Sequence, residues 1–228
     1  MTPPSGTPIE AFGFLDRLSE VDRQAFLAAG RRIRLQPDTT ILIEGQVSGQ
    51  VLVLLDGHVR AWTSAAEGHE SLLAVRRPGD VVGELSALDG RPHSATVSTM
   101  EPVEAIVISA SGFRSFLEAH PSAALAVLQL TMERLRDADR KRAEFGSMDA
   151  TGRVAARLAE LAERHGRAID RGVRIELSLS QEDVANWIGA SREAVSRALR
   201  IFRERGWIST ERRRITVLAL DALRERGT

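Results

Sequence analysis

The sequence predicts an α+β chain in which a strand-rich half precedes a helical one. Three observations predict it. Between Ile33 and Ile108, seven short apolar or β-branched runs are separated by turn residues, the pattern of an all-β barrel or jelly roll. From Ser122 to about Ser147 the apolar period becomes that of a long helix. After Leu179 come two short helices joined at a glycine, then a strand, a basic turn and a return strand.

Residues 1–8 form a Pro/Gly/Thr-rich leader, expected to be disordered. Ile9 to Arg31 has helical character, carried by Phe14-Leu15, Leu18, Val21 and Phe26-Leu27. The first five strands are read at Ile33–Leu35, Thr40–Ile43, Val51–Leu55, Val59–Trp62 and Ser71–Val75. Asp56-Gly57, Glu67-Gly68 and Pro78-Gly79-Asp80 punctuate them. Two more runs follow at Ala95–Thr99 and Val103–Ile108, then a short helix at Phe113–Leu117.

His120-Pro121 breaks the chain before the long helix. In that helix Leu125, Leu128, Met132 and Leu135 recur at spacings of three and four. Such a seam suits a coiled-coil dimer interface, and packing on the chain's own barrel explains it equally well. Beyond it the helix turns polar at Asp137, Asp139, Arg140, Lys141 and Arg142. Asp149 can cap the next helix, which runs to about His165 and carries Val154, Leu158 and Leu161 inward. Val173–Leu177 reads as a strand.

Ser180 can accept from the amide of Asp183, while Gln181, Glu182 and Asp183 open a helix whose stripe is Val184, Ala185 and Ile188. Gly189 stops it with a residue that tolerates positive φ. Ser191 caps a second helix with Val195, Leu199 and Phe202 at helical spacing. This is a helix-turn-helix. The polar face of the second helix carries Arg192, Glu193, Ser196, Arg197 and Arg200, mostly in the turns that enter a major groove. An Arg fork bonds O6 and N7 of guanine, and a carboxylate accepts from N4 of cytosine. Gly206-Trp207-Ile208, the turn Thr210 to Arg214 and Ile215–Leu218 then read as a wing, with Arg213 and its neighbours placed along phosphates.

Ser191-Arg192-Glu193-Ala194-Val195-Ser196-Arg197, after Ile188-Gly189-Ala190, resembles the recognition helix of the CRP/FNR family of bacterial transcription regulators. The resemblance runs from about Phe14 to Leu218 and is nearest the cyclic-nucleotide-binding, catabolite-activator branch. It implies a cyclic-nucleotide-binding-type β-roll over 9–119, a long dimerisation helix over 120–148 and a winged helix-turn-helix over 149–228. It also implies that Arg192, Glu193 and Arg197 contact base edges of a GTGA-type half-site. The implied partners are double-stranded DNA, a second copy of the chain and RNA polymerase.

Val82 to Thr96 resembles the phosphate-binding cassette of such rolls. Gly83 and Glu84 open a short helix with Leu85 and Ser86, offering amides to a phosphate and a carboxylate to a ribose hydroxyl. The family's phosphate-pairing Arg corresponds to His93, and Ser94 matches a phosphate-bonding Ser or Ala. A neutral imidazole does not replace a guanidinium. Arg91 could reach in, but Pro92 fixes the backbone between them. The adenine-contacting hydroxyls of the family correspond to Ala138 and Asp139. Asp139 could accept from a guanine N1–H and N2 amino or an adenine N6, or be an exposed charge. A cyclic nucleotide (cAMP or cGMP) is the implied ligand. Its affinity is weakened by about one to two orders of magnitude through the lost charge-assisted bond. The alternative is a retained roll that is empty or takes something else.

Composition narrows the function. Formal charge is zero, but residues 149–228 hold 16 Arg against 12 acidic residues, while the remainder holds 15 basic and 19 acidic. The C-terminal part is the better partner for a polyanion. There is no cysteine, which excludes disulfides, thiolate zinc sites and cysteine-held iron–sulfur clusters. The N-terminus lacks a basic and an apolar signal region, and the uncharged run Ala119 to Met132 is too short and too polar to span a bilayer, so a cytoplasmic protein is expected, without membrane contact. The five histidines, His58, His69, His93, His120 and His165, are scattered without metal-ligand spacing, and no nucleophile-with-base motif stands out. No enzyme and no metal are expected. A cyclic-nucleotide-responsive module governing an enzyme or protein partner is the competing reading, opposed by the intact recognition helix.

Overall fold

A computed structural model of the chain describes residues 13–64, 70–177, 180–211 and 214–228. The leader falls outside the described residues, as do His69 and Arg213. The chain divides into two units, one ending at Arg136 and the other running from Asp137 to Thr228.

The first unit begins with a 3₁₀ turn, Leu15–Arg17, and α1, Glu20–Ala29, capped by Ser19, whose hydroxyl accepts from the Asp22 amide at 3.1 Å. The single helical stretch expected over this region is thus interrupted at Leu18, where the backbone is extended. Among the described residues eight strands follow: β1 Arg31–Leu35, β2 Thr40–Leu42, β3 Gln50–Asp56, β4 Val59–Ser64, β5 Glu70–Arg76, β6 Val81–Val82, β7 Thr96–Thr99 and β8 Val103–Ser109. They make two antiparallel four-stranded sheets, ordered β1-β8-β3-β6 and β2-β7-β4-β5. The two-residue β6 is the strand that patterning alone does not show, being too short for any alternation.

Strand β3 explains how the unit packs. Its side chains alternate between faces, yet Val51, Leu52, Val53 and Leu54 are all buried. Leu52 and Leu54 join Leu42, Val59, Val97 and Ala105, drawn from both sheets. Val51 and Val53 join helical residues instead: Phe14, Phe26, Phe113, Phe116, Ala123, Val127 and Leu130. A strand covered on both faces reads as a continuous apolar run. Four phenylalanines fill the second core edge to face, with Phe26 and Phe116 centroids 5.1 Å apart and Phe14 and Phe26 5.3 Å apart.

Between β6 and β7 lies α2, Glu84–Asp89, bounded by Gly83 at φ 85° and Gly90 at φ 72°. A Cβ on Gly83 would lie 2.8 Å from the Gln50 carbonyl, so glycine is required there. Helix α3, Ala110–Ala119, is capped by Ser109 and is followed by α4, Pro121–Ser147. The inward edge of α4 is Ala123, Ala126, Val127 and Leu130. Leu125, Leu128, Met132 and Leu135 are not part of that core and stand 45–61% exposed.

In the second unit α5, Ala150–His165, is capped by Asp149, which accepts from the Gly152 amide at 2.7 Å. Strands β9 Gly166–Ile169, β10 Gly172–Ile175, β11 Ile208–Glu211 and β12 Arg214–Val217 form a sheet ordered β11-β12-β10-β9. Helix α6 is Gln181–Ile188, α7 is Arg192–Glu204 and α8 is Leu220–Arg226. Arg226 of α8 donates to both oxygens of Asp149, at 2.7 and 2.6 Å, closing the unit on its own first cap. Strand β9 and α8 are additions to the elements read from sequence. Every residue of β9 is exposed, so it has no apolar signature, and α8 buries only Leu223. Among the described residues no helix is long and apolar enough to cross a membrane.

Candidate DNA interface and effector pocket

The helix-turn-helix is held by local chemistry. Ser180 Oγ accepts from the Asp183 amide at 3.0 Å, and Asp183 accepts from the Ser180 amide at 2.7 Å, a reciprocal capping box. Gly189 ends α6 at φ 59°, and the Ala190 amide closes the turn on the Ala185 carbonyl at 3.1 Å. Ser191 accepts from the Ala194 amide at 3.2 Å. The hydroxyls of Ser180 and Ser191 therefore serve the helix termini first.

Helix α7 buries Val195, Ala198, Leu199 and Phe202. This leaves Arg192, Glu193, Ser196, Arg197 and Arg200 exposed, and Gln181 is exposed at the start of α6. Arg192 Nη1 lies 3.8 Å from Glu182 Oε2, and Arg200 Nε 3.8 Å from Glu204 Oε1. Glu182 was not singled out in the sequence because a first-turn acid is explained by the helix dipole alone. Bonds from its own backbone amide and from the Ser191 side chain hold the Glu193 carboxyl below its ordinary pKa, with Arg192 and Arg197 adding to this. It stays an ionised acceptor. Behind the face, Trp207 stacks on Phe202 at 5.6 Å and Arg205 lies over Trp207 at 4.9 Å, fixing the start of β11 to the end of α7. In the wing, Thr210, Glu211 and Arg214 belong to the paired strands rather than to the turn.

In the β-roll, Glu84 is 3% exposed and its Oε1 accepts from Arg134 Nη1 at 2.5 Å. Arg134 Nη2 donates to the Val81 carbonyl at 2.8 Å. Arg134 is the site residue that sequence reading missed. Its only signal is a charge two residues past Met132, within the apolar seam. Ser86 Oγ and Arg134 Nε are both buried without a hydrogen-bond partner among the described residues.

His93 is 6% exposed, and its Nε2 lies 2.6 Å from Ser48 Oγ. Its backbone is tied to the same loop: His93 N donates to Gln46 O at 2.8 Å, and Gly45 N donates to His93 O at 2.9 Å. Burial lowers the imidazole pKa below its ordinary value, outweighing the opposing charge of Glu84, so the ring is neutral at neutral pH. Leu85, Arg91 and Ser94 are exposed, and the Arg91 amide is turned onto Asp89 at 2.9 Å. Ala138 and Asp139 are exposed on α4 in the second unit.

Residues 32–120 match the model of the cyclic nucleotide-binding domain, and residues 152–226 that of the Crp-like helix-turn-helix domain. The chain is 32% identical over 188 residues to a CRP-like cAMP-activated global transcriptional regulator of Mycobacterium tuberculosis, covering 82% of this chain and 84% of that one. It is 26% identical over 180 residues to the cAMP-activated global transcriptional regulator CRP of Salmonella typhimurium, covering 78% and 85%. Among solved structures it resembles FixK2 from Bradyrhizobium japonicum, with a TM-score of 0.77 at 22% identity over 87% of this chain and 98% of that one. These curated relatives are transcription regulators, not enzymes.

Proposed function

Because the chain belongs to the CRP/FNR family of DNA-binding transcription regulators, with an effector-binding β-roll, we propose that it works as a homodimer reading a GTGA-like palindrome. The observation that carries this is the exposed face of α7. Arg192, Glu193 and Arg197 stand on a helix capped at Ser191 and buried on its other side, with Glu193 ionised. Two arginine forks and one acceptor suit two guanines and a cytosine. Arg200 and Arg213 supply charge for phosphates, while Gln181 and Ser196 flank the face.

A palindrome needs two copies of this face. The exposed stripe Leu125, Leu128, Met132 and Leu135 supports pairing through α4, since an apolar seam of this spacing is stable only when covered. The dimer acts in the cytoplasm with RNA polymerase as its further partner.

The effector is where this chain departs from the relatives named for activation by cAMP. Of the cations beside the cassette, Arg134 is engaged by Glu84 and Val81 and Arg114 by the Ala87 carbonyl, while His93 is neutral and engaged by Ser48. A cyclic phosphate would have to compete with these partners. The protein binds cAMP or cGMP weakly and binds DNA substantially without them. Electrophoretic mobility shifts on a GTGA palindrome and a scrambled duplex test the reading. Selective binding of the palindrome supports it, and equal affinity for both duplexes contradicts it.

A further inference from the structure

The end of α4 carries a buried charge cluster that the DNA face does not account for, all of it in the second unit. Arg157, 3% exposed in the middle of α5, donates from Nη2 to Glu144 and from Nη1 to Glu160. Around this core, Arg140 lies 3.6 Å from Glu144 and 3.0 Å from Asp137, and Lys141 lies 3.5 Å from Glu160. Arg164 joins the two ends, at 2.6 Å from Asp137 and 3.5 Å from Glu160. The Lys141 ammonium and the Arg157 guanidinium both sit over the ring of Trp187, at 5.5 and 6.0 Å. Trp187 belongs to α6, the first helix of the helix-turn-helix.

Further along α4, Phe145 meets the turn itself. A Cβ on Gly189 would lie 2.7 Å from the Phe145 ring. Arg153 of α5 lies over the Phe145 ring, its guanidinium 5.2 Å from the centroid, and its Nε donates to the Ile188 carbonyl at 3.0 Å. Its Nη1 donates to the Met148 carbonyl at 2.7 Å, so one side chain bridges the end of α4 to the end of α6. The turn 188–190 that launches the recognition helix thus meets a ring from α4 and a bridging guanidinium from α5, with the ionic hub packed on Trp187 just before it.

Buried ion clusters contribute little net stability compared with apolar packing of the same volume, because desolvation offsets attraction. In some proteins such a cluster instead specifies one geometry. We propose that Phe145, Arg153 and Arg157 are positioning residues for DNA reading, fixing the turn 188–190 to the last turns of α4 so that the angle of α7 follows that helix. The inference rests on α7 being the reading helix and adds a route by which α4 controls it.

The test measures the affinity of the full-length protein for the GTGA palindrome and for the scrambled duplex, alongside thermal melting. Phe145 is 51% exposed, so Phe145→Ala is expected to leave the fold intact, which the melting curve checks. The expected result is a cognate-to-scrambled ratio lowered about tenfold, the scale of one lost base contact, with scrambled affinity unchanged and Phe145→Leu restoring most of it. Arg157→Met with Glu144→Leu replaces the centre of the hub by apolar volume while Glu160 keeps Lys141 and Arg164, and is expected to melt close to the parent yet lose the same ratio. An unchanged ratio in Phe145→Ala overturns the proposal, whether or not the double variant folds. If the unmodified protein shows no preference for the palindrome, the DNA-reading proposal fails instead, and the two failures are distinct.

Discussion

Arg134 places one nitrogen 2.5 Å from Glu84 and another 2.8 Å from the Val81 carbonyl, so one side chain of the long helix α4 ties two backbone segments of the cassette together. Removing one partner of a buried pair strands the other charge. Arg134→Met should therefore destabilise the first unit by about 2–4 kcal/mol, somewhat below the figure for a fully buried pair because the Arg side chain is partly exposed. Adding Glu84→Gln should recover most of the loss. Urea unfolding of the two variants checks this, and a double variant no better than the single one would count against it.

His93 gives a pH dependence of definite sign. Its folded pKa is lowered by burial, so the unfolded chain binds the extra proton more readily. The associated stability is present above the unfolded value of about 6.5 and is lost as pH falls below it. His93→Gln should flatten the pH dependence of the melting temperature between about pH 7 and 5, since an amide does not titrate there. The same lowering means that acidification makes the folded site cationic only below the ordinary imidazole value. Nucleotide affinity should therefore not rise between about pH 7.5 and 6.5.

The sequence made most of the architecture readable where one residue type has one mechanical use. Ser180, Gly189 and Ser191 cap and turn the two helices as their chemistry requires, and the apolar runs of the roll became paired strands. Elements without a periodic signal, β6, β9 and α8, were not readable. The seam of α4 was ambiguous because two stripes lie two residues out of step. Ala123, Ala126, Val127 and Leu130 face the core, while Leu125, Leu128, Met132 and Leu135 do not. Long-range pairs were the least legible. Nothing local links Glu84 to Arg134, His93 to Ser48 or Phe145 to Gly189.

Base reading predicts an asymmetry among arginines. Arg192→Ala should cost about 1–3 kcal/mol on the cognate duplex and flatten preference at one base pair, whereas Arg213→Ala should weaken every sequence alike and reduce the salt slope by about one. Competition binding against single-base variants of the site separates these. Equal loss on cognate and scrambled DNA would make Arg192 a phosphate contact.

Assembly through α4 predicts that Leu135→Asp yields a monomer, because an unpaired carboxylate would have to be buried in the seam. Sedimentation should show the change directly, together with weaker binding to the full palindrome and little change on a half-site. A variant that stays dimeric would place the interface elsewhere.

The central claim is that this chain reads a GTGA-like palindrome without strict dependence on a cyclic nucleotide. Fluorescence anisotropy of the labelled palindrome, titrated with purified protein alone and with saturating cAMP or cGMP, tests it most directly. The account predicts selective binding in the absence of nucleotide and only a small gain on adding it. Tight cAMP binding, with no recognition of the palindrome until it is present, would contradict it.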